Sequence, residues 1–411
     1  MVSPAMAAGS GGYNAQVVDP KAESMGFAFA GEADTPSAVY YNPAGLTQLN
    51  EGRHIQLGAT ALQLRQHYHS SAAGQEDSAG KVKEFTIPHF FFADKMKNDR
   101  VAFGFGVVST WGLGTEWADN SFAKYKAIKT DMVDSTAIAA IGVKVTERFS
   151  LGAGFDFEMS RINKTVKFDN LAGGNGNIEA KGKDNDGMGY HISGLFKIND
   201  QNQIGLVYRS PIQLDMHGKL YLDNLGGYAG MALFGGKTNY ETEISSKMKL
   251  PQSVTLGYSF RPTEKWRINA DVEWMNWSSV RQSAINYVDP NDYSNGLLSN
   301  IGASTSLHFK DTISGGIGTE YWVTDRWAMR MGYAYFPSPV NKTNYPLWLA
   351  DSNSSCVTVG TGIKLTNNLS FDLAYVTRIF QPRKITDTDA NIAGTYKTFA
   401  QFGMGSLTWD F

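Results

Sequence analysis

The 411-residue chain has a single cysteine, Cys356, which excludes an intramolecular disulfide framework and any cysteine-based zinc cluster. Charged residues make up 18% of it, against about 25% in ordinary globular chains, and the net charge of −2 leaves no global positive field to draw it to nucleic acid. Proline is scarce at 13 residues. No apolar run nears the roughly 18 residues of a membrane-spanning helix, so a helical transmembrane bundle is excluded. The G-x-S-x-G elbow, the phosphate-binding P-loop and a G-x-G-x-x-G turn opening a helix are also missing. His67 and His69 have no evident third metal ligand nearby. No catalytic residue, metal site or cofactor is therefore expected.

What the sequence does have is glycine, 43 residues, aromatics at 12%, and a period of two from about residue 52 onward. Leu151, Ala153, Phe155, Phe157 and Met159 alternate with Gly152, Gly154, Asp156, Glu158 and Ser160. Trp327, Met329, Met331, Tyr333 and Tyr335 alternate with Arg326, Ala328, Arg330, Gly332 and Ala334. The same division recurs from Trp266 to Met275 and from Leu369 to Val376. Alternation alone does not say which way the apolar face points. Connection lengths decide it. Six short polar turns, near residues 97–99, 146–148, 199–201, 262–264, 324–325 and 366–368, alternate with seven long polar connections. The long ones are near residues 67–82, 110–131, 164–184, 214–238, 279–305, 337–353 and 382–394.

Thirteen connections join fourteen strands, and strict short/long alternation is the pattern of an outer-membrane β-barrel. Lipid offers no hydrogen-bond partner to a sheet edge, so a spanning sheet must close, with apolar side chains toward lipid and polar ones toward the lumen. The expected fold is an all-β transmembrane antiparallel barrel of about 14 strands over residues 51–411. Trp266, Trp274, Trp277, Trp322 and Trp327 suit interfacial girdles, and Phe411 ends the last alternating strand as a terminal aromatic. Pro251 interrupts one strand and argues for a bulge or against an uninterrupted ladder there. Ala5-Met6-Ala7 has the small-x-small form of a signal-peptidase site, so residues 1–7 read as the stump of an export signal, the alternative being an ordinary flexible N-terminus. Residues 8–50, rich in Ala and Gly, do not follow the strand pattern; they suit either a periplasmic tail or a plug folded into the lumen.

The run from Ala8 to Gly26, then Phe29-Ala30-Gly31-Glu32-Ala33 and Asn42-Pro43-Ala44-Gly45-Leu46, resembles the N-terminal plug of the outer-membrane long-chain fatty acid and hydrocarbon transporter family. The likeness continues through residues 146–154, through 330–335 with Ser338-Pro339-Val340, and into the C-terminal strand. It implies a fourteen-stranded barrel blocked by an N-terminal hatch with Asn42, Pro43, Ala44 and Gly45 as its motif. It also implies passive import of a hydrophobic small molecule, long-chain fatty acids first, with aromatic or alkane hydrocarbons as the alternative. Loop capture, a luminal site and sideways release at a kink in the third strand complete the implied mechanism. Bacterial outer-membrane lipid and the barrel-assembly machinery are the implied partners, with the chain a monomer. A surface adhesin or receptor with a sealed barrel is the reading from another class, and a general porin a third.

Candidate residues follow. Trp111, Leu113, Trp117, Phe122 and Tyr125 form a dense apolar set in the second long loop, suited to an entry groove or simply to packing within the loop. Gly104 and Gly106 in the third strand suit either a lateral opening or close approach of the plug. A dehydrated carboxylate needs a cationic partner. Lys310 and Arg161 occupy positions resembling the family's basic residues near the ligand carboxylate, although strict alternation from Leu151 turns Arg161 toward lipid unless a bulge intervenes. Arg326, Arg330, Asp271 and Glu273 read as a luminal charge network holding the plug.

Overall fold

A computed structural model describes residues 11–71, 76–97, 99–171, 174–341, 345–386 and 392–411. The proposed export-signal remnant, residues 1–7, lies outside the described residues. The chain forms fourteen long antiparallel strands in sequence order. They are β1 (Gly52–Ser70), β2 (Lys83–Lys95), β3 (Val101–Val108, with a bent continuation Gly112–Glu116), β4 (Lys129–Lys144), β5 (Phe149–Asp169) and β6 (Asn175–Lys197). Next come β7 (Asn202–Arg209, continuing as Ile212–Asp223), β8 (Asn239–Leu250, continuing as Ser253–Thr263), β9 (Trp266–Met275) and β10 (Thr312–Thr324). β11 (Trp327–Phe336), β12 (Ser354–Lys364), β13 (Leu369–Phe380) and β14 (Gly394–Asp410) complete the set. Each pairs with its neighbours, and β1 pairs with both β2 and β14, with Ile55 opposite Phe92 on one side and Trp409 on the other. The sheet is thus a closed barrel of the kind lipid requires.

The side chains follow that logic. Leu57, Phe105, Leu151, Phe155, Ile192, Leu206, Leu256, Val272, Ile317, Met331, Val359 and Leu407 point outward and are exposed, while Thr60, Asp156, Glu158, Asn269, Glu320 and Arg330 point inward and are buried. That inverts a soluble protein and leaves a belt of apolar side chains for the bilayer. Trp266, Trp327 and Trp409 are exposed, whereas Trp277, expected in a girdle, is fully buried in a cluster above the barrel with Tyr13, Met275 and Phe309.

Two connections differ from expectation, 164–184 and 214–238, the second being strand as far as Asp223. The 164–184 stretch is mostly strand: the β5–β6 ladder runs on to Asp169 and Asn175. Above the lipid both strand faces meet water or packed loops, so the apolar alternation lapses although the hydrogen bonds continue. Pro251 marks a break as anticipated. It stands level with Pro211, and at these two prolines β7 and β8 exchange their inner and outer faces together.

The N-terminal segment is buried almost throughout from Gly11 to Leu49. It contains two short helices, Pro20–Ser24 and Ala38–Tyr41, and a 3-10 turn, Pro43–Gln48. Its contacts are with inward-facing positions around the ring. A Cβ at Gly205 of β7 would overlap the Ala30 carbonyl, one at Gly318 of β10 the Met25 carbonyl, and one at Gly152 of β5 the Ala44 amide. Glycine at these positions admits the segment's backbone against the wall.

Candidate functional site

Asn42 organises the segment's turn. Its Nδ2 donates to the Ala30 carbonyl (2.8 Å) and its Oδ1 accepts from the Ala44 amide (3.1 Å), capping the turn that Pro43 starts. The Ala44 amide also donates to Ser193 Oγ of β6 (3.1 Å), and a Cβ at Gly45 would overlap the Ala33 carbonyl. The four motif residues thus tie two parts of the segment to each other and to the wall.

Charge secures the other side. Lys21 pairs with Glu32 and Asp34 (both 2.7 Å), and Arg267 of β9 pairs with the same two acids. Arg330 joins Glu320 (2.7 Å) to Asp372 (2.6 Å), and Asp271 accepts from the Phe29 and Ala30 amides (2.9 and 2.8 Å). Flanking cations hold the Asp34 carboxyl well below its usual range. Burial pushes Glu23, which accepts from the Val18 and Asp19 amides, up to about 8. Of the four charges expected in this network, Arg330 and Asp271 take part, and Glu273 meets Gln16 (3.3 Å); Arg326 sits in an exposed turn instead.

Above this segment lies a cavity of about 460 Å³, within the range typical of small-molecule sites. Ile162, Met216, Ile244, Met248, Val280 and Leu307 supply apolar walls, Tyr13 of the N-terminal segment the floor, and Trp348 one side. Lys164 and Arg281 also border it, with no Asp or Glu among the described lining residues, while Lys181, Lys247 and Lys249 adjoin it from the outward phases of β6 and β8 and Lys181 pairs with Glu179 (2.9 Å). Lys164 lies on the inward phase of β5, its ammonium 4.6 Å from the centroid of the Trp348 ring. Among the described residues no ion pair forms with Lys164. It stands beyond the lipid belt, because the outward residues of β5 turn polar at Arg161 and Asn163. Loss of solvent pushes its ammonium down to about 8.

The expected carboxylate ligands are not at this cavity. Arg161 is exposed on the outward phase of β5, opposite Val133 and Lys183. A bulge does occur beside it, but the extra residue belongs to β6, so β5 keeps its phase and Arg161 keeps its outward direction. Lys310 precedes β10 rather than lying on its polar face; Phe309 turns into the buried cluster and leaves Lys310 exposed, with its amide donating to the Pro339 carbonyl (3.0 Å). In the sequence Lys164 reads as one more polar residue of a loop, although its even position on β5 places it on the luminal face.

The second-loop aromatics form a packed cluster, not an open groove. Leu113 and Trp117 are buried, Trp117 meets Phe122 edge-on at 5.0 Å, and Phe122 stacks on Tyr68 at 3.7 Å. Trp111 lies 5.8 Å from Tyr13, and Tyr125 points outward and donates to Asn175 (2.8 Å). Packing won because a long loop over a barrel needs a core of its own.

Gly104 and Gly106 lie in an unbroken ladder, opposite Ala93 and Phe91 of β2 and Ala140 and Ile138 of β4. A Cβ on either would press on Val39, so they make room for the N-terminal segment. The bend in β3 comes later, at Ser109–Thr110. There Ser109 Oγ and the Thr110 amide donate to the Asp134 carboxylate (2.8 and 3.0 Å), and the strand turns inward to pair Trp111 with Asn14. Pairing between β2 and β3 stops at Phe90–Val107, while β2 continues to Lys83 against β1. The wall gap therefore begins beside Pro88, level with the outward Ala59 of the lipid belt.

Residues 2–405 match the family model described as outer membrane protein transport protein (OMPP1/FadL/TodX). The chain is 23% identical to a long-chain fatty acid transport protein of Escherichia coli, covering 93% of this chain and 90% of the relative. It is 21% identical to outer membrane protein P1 of Haemophilus influenzae, with 91% and 88% covered. Among solved structures, a Pseudomonas aeruginosa FadL homologue superposes with a TM-score of 0.84 at 20% identity, covering 97% of this chain and all of that one. The Ralstonia pickettii toluene transporter TbuX gives 0.72 at 18% identity, covering 98% and 99%. The chain belongs to the OMPP1/FadL/TodX family, and is an outer-membrane β-barrel transporter of hydrophobic compounds rather than an enzyme.

Proposed function

We propose that the protein imports long-chain fatty acids, binding the acyl chain in the cavity beside Met216, Met248 and Val280 and the carboxylate at Lys164. The observation that carries this reading is the Lys164 ammonium, held on the luminal face against Trp348 and without an ion pair or a lining carboxylate among the described residues. A poorly solvated cation without a counter-ion is unfavourable, and an incoming carboxylate relieves that cost. An uncharged hydrocarbon fills the same apolar walls and leaves the cost in place. The named relatives include a fatty acid transport protein and a toluene transporter, so the cation is the feature that separates the two cargoes.

In this reading residues 11–50 act as the hatch, with Asn42, Pro43, Ala44 and Gly45 as its hinge against β6. Tyr13 forms the cavity floor, and its carbonyl accepts from the Gly112 amide (2.9 Å) of the bent β3 continuation. A ligand that displaces Tyr13 thereby loosens the bend next to the β2–β3 gap. Release into lipid there suits a molecule that prefers lipid to water. The test is titration of the purified barrel with oleate and with an uncharged alkene of equal length. Markedly tighter binding of oleate supports the reading; equal binding, or tighter binding of the alkene, moves the cargo to hydrocarbons.

A further inference from the structure

A second break in the barrel wall lies between β6 and β7, far from the β3 bend. Below it His191 pairs with Arg209, and above it Lys183 pairs with His217. The register is the same on both sides, yet residues 184–190 and 210–216 form no ladder pairs with one another. The cause is phase. β6 shifts its phase at a bulge, where Ser160 pairs with Asp184 but Glu158 with Gly187, so exposed residues are odd-numbered above it and even-numbered below. β7 shifts at Ser210–Pro211, several residues lower. Between the two shifts the strands are out of step: outward Met188 stands level with inward Ile212. A ladder needs matched phase, so none forms.

The seam is closed by side chains. Leu214 lies over Gly187 and Ile212 over Gly189, so that a Cβ on either glycine would press on them. Local hydrogen bonds hold its two ends: the Ser210 amide to the Tyr190 carbonyl (2.8 Å) at the lower and the Asp215 amide to the Asp184 carboxylate (2.5 Å) at the upper. Outside, exposed Met188 and Tyr190 are the last apolar residues of β6 before Asp186 and Lys183, which places the seam at the top edge of the lipid belt. Inside, Met216 and Gly218 just above it border the cavity.

We propose that this seam is a lateral entry port, through which a single-chain amphiphile with an anionic head passes from the outer edge of the membrane into the cavity. The inference rests on the fatty-acid reading above and adds a route to it. Ile212 and Leu214 are the gate: rotating two apolar side chains off two glycines opens the wall without breaking a ladder, which no neighbouring pair of strands allows at that height. The head group stays near the polar rim while the chain slides inward, and Lys164 lies one strand beyond.

The test staples the seam. Met188→Cys with Gln213→Cys, joined by a short bis-maleimide, bridges it on the outer face; Ile192→Cys with Tyr208→Cys, a directly paired position below, is the control. Native Cys356 is fully buried and does not compete. Photoactivatable palmitate is supplied either from lipid nanodiscs, at a lipid excess that leaves almost none in water, or from albumin to the protein in detergent. The readout is labelling of the buried Leu214 and Met216. The port predicts loss of labelling from the membrane in the seam-stapled protein alone, with labelling from albumin retained. Undiminished labelling from the membrane, or loss from both sources, overturns the port while leaving the cavity reading intact. No labelling of the unstapled protein from either source overturns both.

Discussion

Replacing Lys164 by Met isolates the feature on which the cargo assignment depends. The substitution keeps an unbranched stem of similar length and permits a sulfur contact with the Trp348 ring, so the cavity wall stays filled. What disappears is the cation. A hydrogen bond to a charged group contributes about 1.5–3 kcal/mol, and because Lys164 is only half-buried the lower half of that range applies, or roughly 10- to 40-fold in affinity. Oleate binding weakens by that factor, and binding of an uncharged alkene stays the same or tightens. Titration across pH adds an independent arm. The free ammonium, pushed down to about 8, is charged below that pH and neutral above it. A bound carboxylate stabilises the charged form and raises its pKa, so binding takes up a proton above pH 8 and oleate affinity falls as pH rises, by up to about tenfold per unit. Lys164→Met removes that dependence. Equal losses for oleate and alkene, or a pH profile unchanged by the substitution, would refute the assignment.

Other residues give sharper structural tests. Asn42→Ala removes the cap and the bond to Ala30, costing about 1–2 kcal/mol, and the N-terminal segment becomes more open to protease in the assembled barrel. Gly205→Val drives a side chain into the Ala30 backbone and displaces the segment, which appears as a rise in ion conductance in planar bilayers. Arg267→Ala leaves Glu32 and Asp34 with Lys21 as their remaining cationic partner, a loss of about 3–5 kcal/mol typical of a broken buried pair, read as a lower unfolding temperature with the barrel still assembled. Asp134→Ala frees Ser109 and Thr110, and amide exchange at residues 109–116 quickens while that of residues 101–107 is unchanged.

The barrel was legible because lipid imposes one rule on every strand: outward positions such as Leu151, Phe155, Met331 and Leu373 must be apolar at a period of two. Where the rule stops, so does legibility. Residues 164–169 and 175–184 read as loop because strands beyond the belt carry polar side chains on both faces, and that is where Lys164 lies. Alternation had the direction of Arg161 right, and the structure agrees with it over the positional resemblance. The glycines of β3 stand out in the sequence, yet the neighbour that crowds Gly104, Val39, is more than sixty residues away and invisible to local pattern, and Gly106 is crowded first by Phe91 of β2. The bend itself is held by Asp134 on the next strand and by Tyr13, Asn14 and Ala15 of the N-terminal segment, long-range contacts with no local signature. The aromatic set from Trp111 to Phe122 showed its hydrophobicity but not its partners, Tyr13, Tyr68 and Trp277, which come from three other parts of the chain.

The central claim is fatty-acid import. It is tested most directly by growth on oleate of a bacterium that lacks its own outer-membrane fatty-acid importer and expresses this chain, with assembly verified by heat-modifiable migration. The account predicts growth with the intact chain and slower growth with Lys164→Met. No growth with a correctly assembled barrel would contradict it.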